Sequence, residues 1–440
     1  MSQQQLHFPK RFLWGAAVCA HQVEGGQHNN WTVWELENAK SLAKAAEYKM
    51  GHLPIWPEVK KLATSPDNYV SDQAIDHYHR YEEDFDIMKK MNLNAFRFSI
   101  EWSRIEPREG VWDAAEIEHY RQYIRALKKR GIEPMITLYH WTVPVWFAEK
   151  GAFARARNID YFVRFAEKIL EELGPDLHYI TTINEPDTVA THGYWLLEHP
   201  PQKSNILEAF WVYRNHLKAH KIIYRIAHKQ SRRYKVGFVK NYAHIKPADD
   251  RWLTRCMVWL DPLVRDGIVL RYVGRKTDFL GINYYFTDYY SGSKIVVGQN
   301  SHFTEDRQSH AETMPEGPTS DLGWGLEPEN LEFVLKRLQK YKVPLIVTET
   351  GVADKNDVYR QNWLNGTIRA VYAAREDGVD VRGYLHWSAF DNFEWAYGRW
   401  PQFGLVGIDY EHDFKRTVRK SGLYYGAFVK KMRGAEGRSK

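Results

Sequence analysis

Short apolar runs recur along the chain, and between them lie longer stretches whose apolar positions return every three or four residues. The first pattern fits buried strands and the second fits amphipathic helices. Candidate strands fall at Phe12 to Ala17, Ala95 to Ile100, Glu133 to Tyr139, Tyr179 to Ile183, Lys235 to Val239, Phe279 to Tyr284, Leu345 to Thr348 and Gly383 to His386. Helical patterns cover Ala114 to Lys129, Ile159 to Leu173, Ile206 to Ser231, Pro328 to Lys340 and Val358 to Glu376, each followed by Gly, Pro or a turn cluster. Strand and helix alternating eight times predict an α/β architecture, a parallel (βα)8 TIM barrel. The alternative is an open doubly wound sheet, but no GxGxxG loop follows the first strand. A length of 440 residues would allow about three domains, yet such barrels run past about 250 residues as one unit. One domain over residues 1–440, with elaborated loops, is therefore expected.

Two connections exceed a tight turn. The segment Trp34 to Asp76 carries a helix-favouring piece, Glu37 to Met50, and then a stretch through Leu53 and Pro57; Phe286 to Gly325 is polar with several glycines. Long loops in a compact domain usually wall or cover a site. The last residues, 430–440, read as a frayed basic tail.

Composition narrows the classes. Hydrophobic residues make 44% of the chain and charged ones 26%, enough for a large core. The net charge of +6 is spread along the length and gives nucleic acid no basic stripe to bind. Two cysteines, Cys19 and Cys256, leave no disulfide framework and point to a reducing compartment. The amino terminus lacks the apolar core of a secretory signal, and no apolar run is long enough to span a membrane. A cytoplasmic protein is expected, in which the tripeptide sequons at Asn30 and Asn365 carry no meaning. Seventeen Trp, 27 Tyr and 20 Phe make 15% of the chain. Most should fill the core, and a minority should line a site, since aromatic faces stack on the C–H faces of sugars.

In a barrel of this kind the chemistry sits at the carboxyl ends of the strands. Gln22 follows strand one, and Arg97 and Glu101 lie in or after strand two. His140 and Trp141 close strand three, and Asn184 and Glu185 close strand four. Asn283 and Tyr285 end strand six, Glu349 ends strand seven and Trp387 ends strand eight. Strands four and seven place Glu185 and Glu349 across the mouth from each other. Two opposed carboxyls are the minimum equipment for cleaving an acetal: one protonated to aid the leaving oxygen, one ionised to attack or stabilise the oxocarbenium-like centre. Arg97 is a candidate for keeping one of them ionised. Singly, each residue has a structural reading, Arg97 as a core ion-pair partner, His140 as a satisfied core histidine, the tryptophans as packing. Their convergence on one end of one barrel favours chemistry. His77, Tyr78 and His79 lack a third ligand at a recognisable spacing, so a helix-surface or core role is expected and no metal is assigned.

Seven segments, FLWGAA, FRFSIEWSRIEP, LYHWTVP, TINEP, FLGINYY, VTETG and WSAFDNFEWAYG, stand in an order and spacing that resemble glycoside hydrolase family 1, from about Phe8 to Phe428. The resemblance implies a retaining β-glycosidase on a (βα)8 barrel, without cofactor or metal. It implies Glu185 as acid/base and Glu349 as nucleophile, with Asn184 on the sugar 2-hydroxyl and Arg97 and Tyr285 on the nucleophile. Gln22, His140, Trp141, Glu394 and Trp395 match residues that hold the other hydroxyls; Asn283 belongs with the substrate-binding set. Trp387 matches the platform under the ring, Phe403 the closure near C6 and Trp324 the aglycone side. Partners would be small β-glycosides or short oligosaccharides, terminal β-D-glucosides before β-galactosides or β-fucosides. Glu394 favours neutral sugars, because a carboxylate repels a 6-phosphate. Departures from the pattern are Thr350 after the nucleophile, Tyr397, Arg399 and Gln402 in the following loop, and Trp195 to Pro201. A transglycosylating enzyme and a non-catalytic carbohydrate-binding barrel are the competing readings; retention of both carboxyls argues against the latter.

Overall fold

The structure, a computed structural model, describes residues 6–297 and 317–434. Eight strands close a parallel barrel: β1 Leu13–Ala17, β2 Ala95–Ser99, β3 Glu133–Tyr139, β4 Tyr179–Asn184, β5 Lys235–Asn241, β6 Phe279–Tyr284, β7 Leu345–Thr350 and β8 Val381–Trp387. Each pairs with its sequence neighbour, and β1 pairs with β8 from Leu13 against Gly383 to Ala17 against Trp387. All eight predicted strands are present, so the (βα)8 expectation holds. Strands buried on both faces explain their near-continuous apolar sequence.

Three apolar shells fix the barrel. Leu13, Ala95, Met135, Phe279, Ile346 and Leu385, one from each of six strands, form a small cluster inside the barrel. The largest cluster lies between strands and helices. Helix Ile159–Glu172, for example, buries Ile159, Phe162, Phe165, Ala166, Ile169 and Leu170, the three-and-four spacing of one helical face. The third shell, at the carboxyl ends of the strands, gathers Trp31, Trp34, Trp324, Trp387, Trp395, Trp400 and Phe403.

Helix Ala114–Lys129 matches its expectation; it starts there because Asp113 accepts the amides of Ala115 and Glu116. The long first connection departs from expectation. Its helix runs over Asn30–Met50 rather than from Glu37, because Asn29 caps the amides of Trp31 and Thr32 while Thr32 reciprocates to the backbone of Asn29. A second helix, Trp56–Ala63, begins with Pro57 in its first turn. Trp34, Met50, Leu53, Trp56 and Val59 bury into the aromatic shell, so this connection is a wall of the mouth. The span predicted as helix from Pro328 contains helix Leu331–Leu338 between two 3-10 turns. Past β5, the strand His244–Pro247 forms a small sheet with Thr287–Ser291 and Lys294–Val297. Part of the second long loop, 298–316, lies outside the described residues, as do 1–5 and 435–440. The expected tail overlaps the end of helix Lys420–Gly434.

Among the described residues no helix is long and apolar enough to cross a membrane, and no cluster of three or more His, Cys, Asp or Glu could hold a metal ion. His77 is a core residue: its ring is buried between Asp84 at 2.6 Å and the Tyr123 hydroxyl at 2.8 Å.

Candidate active site

A narrow cleft opens at the carboxyl ends of the strands, walled by His140, Trp141, Asn184, Glu185, Asn241, Tyr285, Trp324, Glu349, Trp387, Glu394, Trp395 and Phe403. Eleven of these twelve are residues expected from the sequence. Asn241 was missed because strand five was ended at Val239; two more residues of β5 bring its amide to the rim.

Glu349 is held from two sides. Arg97, fully buried in β2, donates to Oε1, and the Tyr285 hydroxyl donates to Oε2 at 2.8 Å. The other Arg97 nitrogen donates to Asn184 Oδ1 at 2.8 Å. Both oxygens of Glu349 thus accept hydrogen bonds, one of them from a cation. Gly351 lets β7 approach β8 here: a Cβ on it would lie 1.7 Å from the carbonyl oxygen of Trp387.

Glu185 has a different environment. Asn283 donates to Oε1 at 2.7 Å and Thr188 to Oε2 at 2.9 Å, and no ion-pair partner for it occurs among the described residues. Burial, then the charge of Glu349, then that of Asp187 push its carboxyl up to about 8, and the two hydrogen bonds only partly oppose them. At neutral pH this carboxyl keeps its proton. Its backbone sits in the left-handed region, φ 43° and ψ 63°, which turns the side chain into the cleft straight after the strand.

Asn283 is fully engaged by the protein, donating to Glu185 and to Asn184 Oδ1 at 3.2 Å and accepting from Thr348 at 2.7 Å. It is not among the residues that wall the cleft, and it reaches the site through Glu185 and Asn184.

The remaining polar groups face the opposite wall. With its Oδ1 committed to Arg97, Asn184 must present its Nδ2 to His140 Nε2, 3.0 Å away. That nitrogen is therefore an acceptor, so the neutral ring carries its proton on Nδ1, which is buried and without a partner among the described residues. Burial, with help from Arg97, holds this imidazole well below the usual range, so it stays neutral. Gln22 donates to Glu394 at 3.3 Å and to the backbone of Phe393 at 2.8 Å, leaving its buried Oε1 unpartnered. Burial and Glu349 push Glu394 up to about 8 as well, against hydrogen bonds from Gln22 and Trp387. Three carboxyls share one cleft, and only Glu349 among them has an ion-pair partner among the described residues.

Aromatic rings complete the walls. Trp395 lies 4.6 Å from both Trp141 and Trp31 and stacks on His21 at 5.4 Å. His21 was not singled out in the sequence. Burial works against its charge, but Glu35 at 2.6 Å outweighs that and raises it above an ordinary imidazole. Trp324 packs 6.0 Å from Tyr285 and 6.2 Å from Phe403. A second pocket is lined by Trp34, Leu42, Met50, Leu53, Leu322 and Tyr397 together with the polar His192, Glu198, His199 and Gln202.

Glu101 turns away from the cleft to accept from Ser103 and Thr142. The departures from the family pattern bind structure: Thr350 accepts the indole N–H of Trp363, Arg399 donates to the carbonyls of Val70 and Ser71, and Gln402 accepts from Arg360 and Arg419. Arg399 in particular ties the mouth loop to the long first connection.

A barrel with opposed carboxyls of unlike environment at its mouth is the framework of a glycoside hydrolase. The family model for glycosyl hydrolase family 1 matches residues 4–255 and 268–433, and the chain belongs to that family. Beta-glucosidase A of Thermotoga maritima is 30% identical over 465 residues, covering 96% of this chain and 98% of that protein. A 1,4-beta-D-glucan glucohydrolase of Thermotoga neapolitana is also 30% identical, over 464 residues, with coverage of 96% and 98%. Among solved structures, a beta-glycosidase from Pyrococcus horikoshii superposes with a TM-score of 0.82 at 31% identity, over 97% of this chain and 95% of that one. The Thermotoga maritima beta-glucosidase in complex with glucoimidazole gives a TM-score of 0.80 at 27% identity, over 96% and 99%.

Proposed function

We propose that this enzyme is a retaining β-glucosidase that hydrolyses terminal β-D-glucosyl residues of neutral glycosides by double displacement. The observation that carries the reading is the unlike treatment of two carboxyls: Glu349 is ion-paired with Arg97, whereas Glu185 is buried, without a cation, and protonated up to about pH 8. In the first step Glu349 attacks the anomeric carbon while Glu185 gives its proton to the departing oxygen. The bond from anomeric carbon to aglycone breaks, and a glycosyl ester to Glu349 forms. Glu185, now ionised, takes a proton from water, whose oxygen displaces the ester and releases the sugar with its original configuration.

Sugar recognition follows from the other wall. His140 Nδ1 donates and Gln22 Oε1 accepts, while the Glu394 carboxyl exchanges hydrogen bonds with sugar hydroxyls, one oxygen donating and the other accepting in its protonated form. Trp387 lies under the ring, and Phe403 closes the end of the cleft. No cation stands beside Glu394 among the described residues to receive a 6-phosphate. The aglycone points past Trp324. The free cysteines, Cys19 buried and Cys256 exposed, favour work in a reducing compartment such as the cytoplasm.

The test is proton NMR of the first sugar released from an aryl β-glucoside. The β anomer appearing first supports double displacement; the α anomer appearing first refutes it.

A further inference from the structure

Behind Glu185, on the outer side of the barrel wall, a fully buried lysine paired with a half-buried aspartate occupies a place where barrels carry apolar residues. Lys240, the penultimate residue of β5, is fully buried. Its Nζ lies 3.1 Å from Asp187 Oδ2 and 3.3 Å from Asp266 Oδ1, and donates to the carbonyl of Asn241 at 2.9 Å. Arg337 meets the other oxygen of Asp266 at 3.0 Å, and the Tyr242 ring lies 4.7 Å from Nζ. A fully buried lysine is rare and costly, and an apolar residue of similar volume usually serves folding as well. A role beyond packing is therefore indicated.

The pair sits where it can act on the acid/base. Asp187 is two residues past Glu185, on the turn that the left-handed backbone of Glu185 begins. Both chain neighbours of Lys240 reach the same place: the Val239 carbonyl accepts the Glu185 amide at 3.1 Å, and Asn241 lines the cleft. The Asp187–Lys240 contact thus joins the turn after β4 to the end of β5 on either side of the backbone bond that holds Glu185.

We propose that Asp187 and Lys240 are positioning residues for the acid/base: their ion pair clamps the left-handed turn that carries Glu185, and Lys240 compensates the charge of Asp187 behind it. This rests on Glu185 being the acid/base. The charged and titratable groups around Glu185 give the sign. Glu349 faces it from β7, Tyr285 from the end of β6, and Arg97 of β2 is committed to Glu349 and Asn184. Asp187 is on its own turn, with Lys240 of β5, Asp266 and Arg265 of the following segment and Arg337 of helix Leu331–Leu338 beyond. The charge of Asp187 favours the protonated form of Glu185. Removing Lys240 leaves that charge uncompensated and strengthens the effect; removing the charge of Asp187 reverses it.

The experiment compares Lys240→Met, Asp187→Asn and the double variant with the unaltered enzyme. It reads kcat/KM against pH and against the leaving-group pKa of a series of aryl β-glucosides. The alkaline limb should move up in Lys240→Met and down in Asp187→Asn, each by about half to one pH unit, and return toward its original position in the double variant. The loss in kcat/KM should reach about tenfold for alkyl or poor aryl leaving groups and be small for dinitrophenolate, which needs no proton. Limbs that stay in place with losses equal for every leaving group would overturn the proposal, leaving a purely structural pair. If Lys240→Met does not fold, the near-isosteric Asp187→Asn decides alone by the same two readouts. Glu185→Ala is run alongside: a loss independent of leaving group in that variant would sink the acid/base assignment itself, separately from the clamp.

Discussion

Arg97 of β2 and Glu349 of β7, 252 residues apart in sequence, form a buried ion pair across the barrel, and Glu185 has no such partner among the described residues. One cation, aimed at one of two carboxyls, divides the labour between them. The Tyr285 hydroxyl reinforces the choice by donating to the second oxygen of Glu349.

Burial of Glu185 has a cost that pH exposes. Its folded-state pKa, about 8, lies above its unfolded value near 4.5. Between those values the folded chain binds a proton the unfolded chain has lost, so stability falls as pH rises across the window, and above about 8 the full penalty of a buried charge is present. Glu185→Gln should match the native enzyme in stability below about pH 4.5 and exceed it by an amount that grows to a few kcal/mol near pH 8 to 9. Thermal melts across pH check this; a gap that shrinks with rising pH contradicts it. In the native enzyme kcat/KM should decline above about pH 8 as Glu185 loses its proton.

Tyr285→Phe removes one hydroxyl and leaves the ring that packs on Trp324 and Phe403. A hydrogen bond to a charged group contributes about 1.5–3 kcal/mol, so kcat should fall by roughly one to two orders of magnitude with little change in Tm. Equal kcat in the variant would mean that the phenol does not support Glu349.

Glu394→Ser tests sugar recognition. The residue bonds Gln22 and walls the cleft, and it is ion-paired to nothing among the described residues, so its loss should reduce kcat/KM for β-glucosides by at least about tenfold while the protein still folds. An unchanged kcat/KM with a collapsed Tm would assign Glu394 to structure instead.

The two carboxyls should also differ in rescue. Glu185→Ala should keep ester formation from dinitrophenyl β-glucoside and accumulate the ester for want of a base; azide needs no base and should restore turnover with a β-glycosyl azide as product. In Glu349→Ala azide could enter only from the vacated face and give the α product. Opposite stereochemistry in the two variants would reverse their roles.

The barrel was legible because its signals are local and repeated: short β-favouring runs, capped helices, and polar or aromatic residues at the end of nearly every strand. Glu185, Glu349, His140 and Trp387 followed from position on such a scaffold. What stayed hidden depends on partners far apart in sequence. Lys240 fell just past the expected end of strand five, and nothing local showed that Asp187 and Asp266 would close around it. Nothing local to His21 announces that Glu35 and Trp395 will enclose it. The helix Asn30–Met50 began earlier than its apolar pattern suggested, because a capping asparagine and two mouth tryptophans decided its start. The end of a strand likewise does not say that the amide of Asn283 will be engaged by Glu185, Asn184 and Thr348.

The most direct test of the central claim is to trap the ester. A 2-deoxy-2-fluoro-β-glucoside with a dinitrophenolate leaving group slows both steps by withdrawing charge from the oxocarbenium-like centre, but its good leaving group lets the first proceed, so the ester should accumulate. Mass spectrometry of the inactivated enzyme should show one added fluoroglucosyl group, located after digestion on the peptide that carries Glu349. An adduct on the peptide carrying Glu185 or Glu394, or rapid turnover with no adduct, would contradict the assignment of Glu349 as the nucleophile.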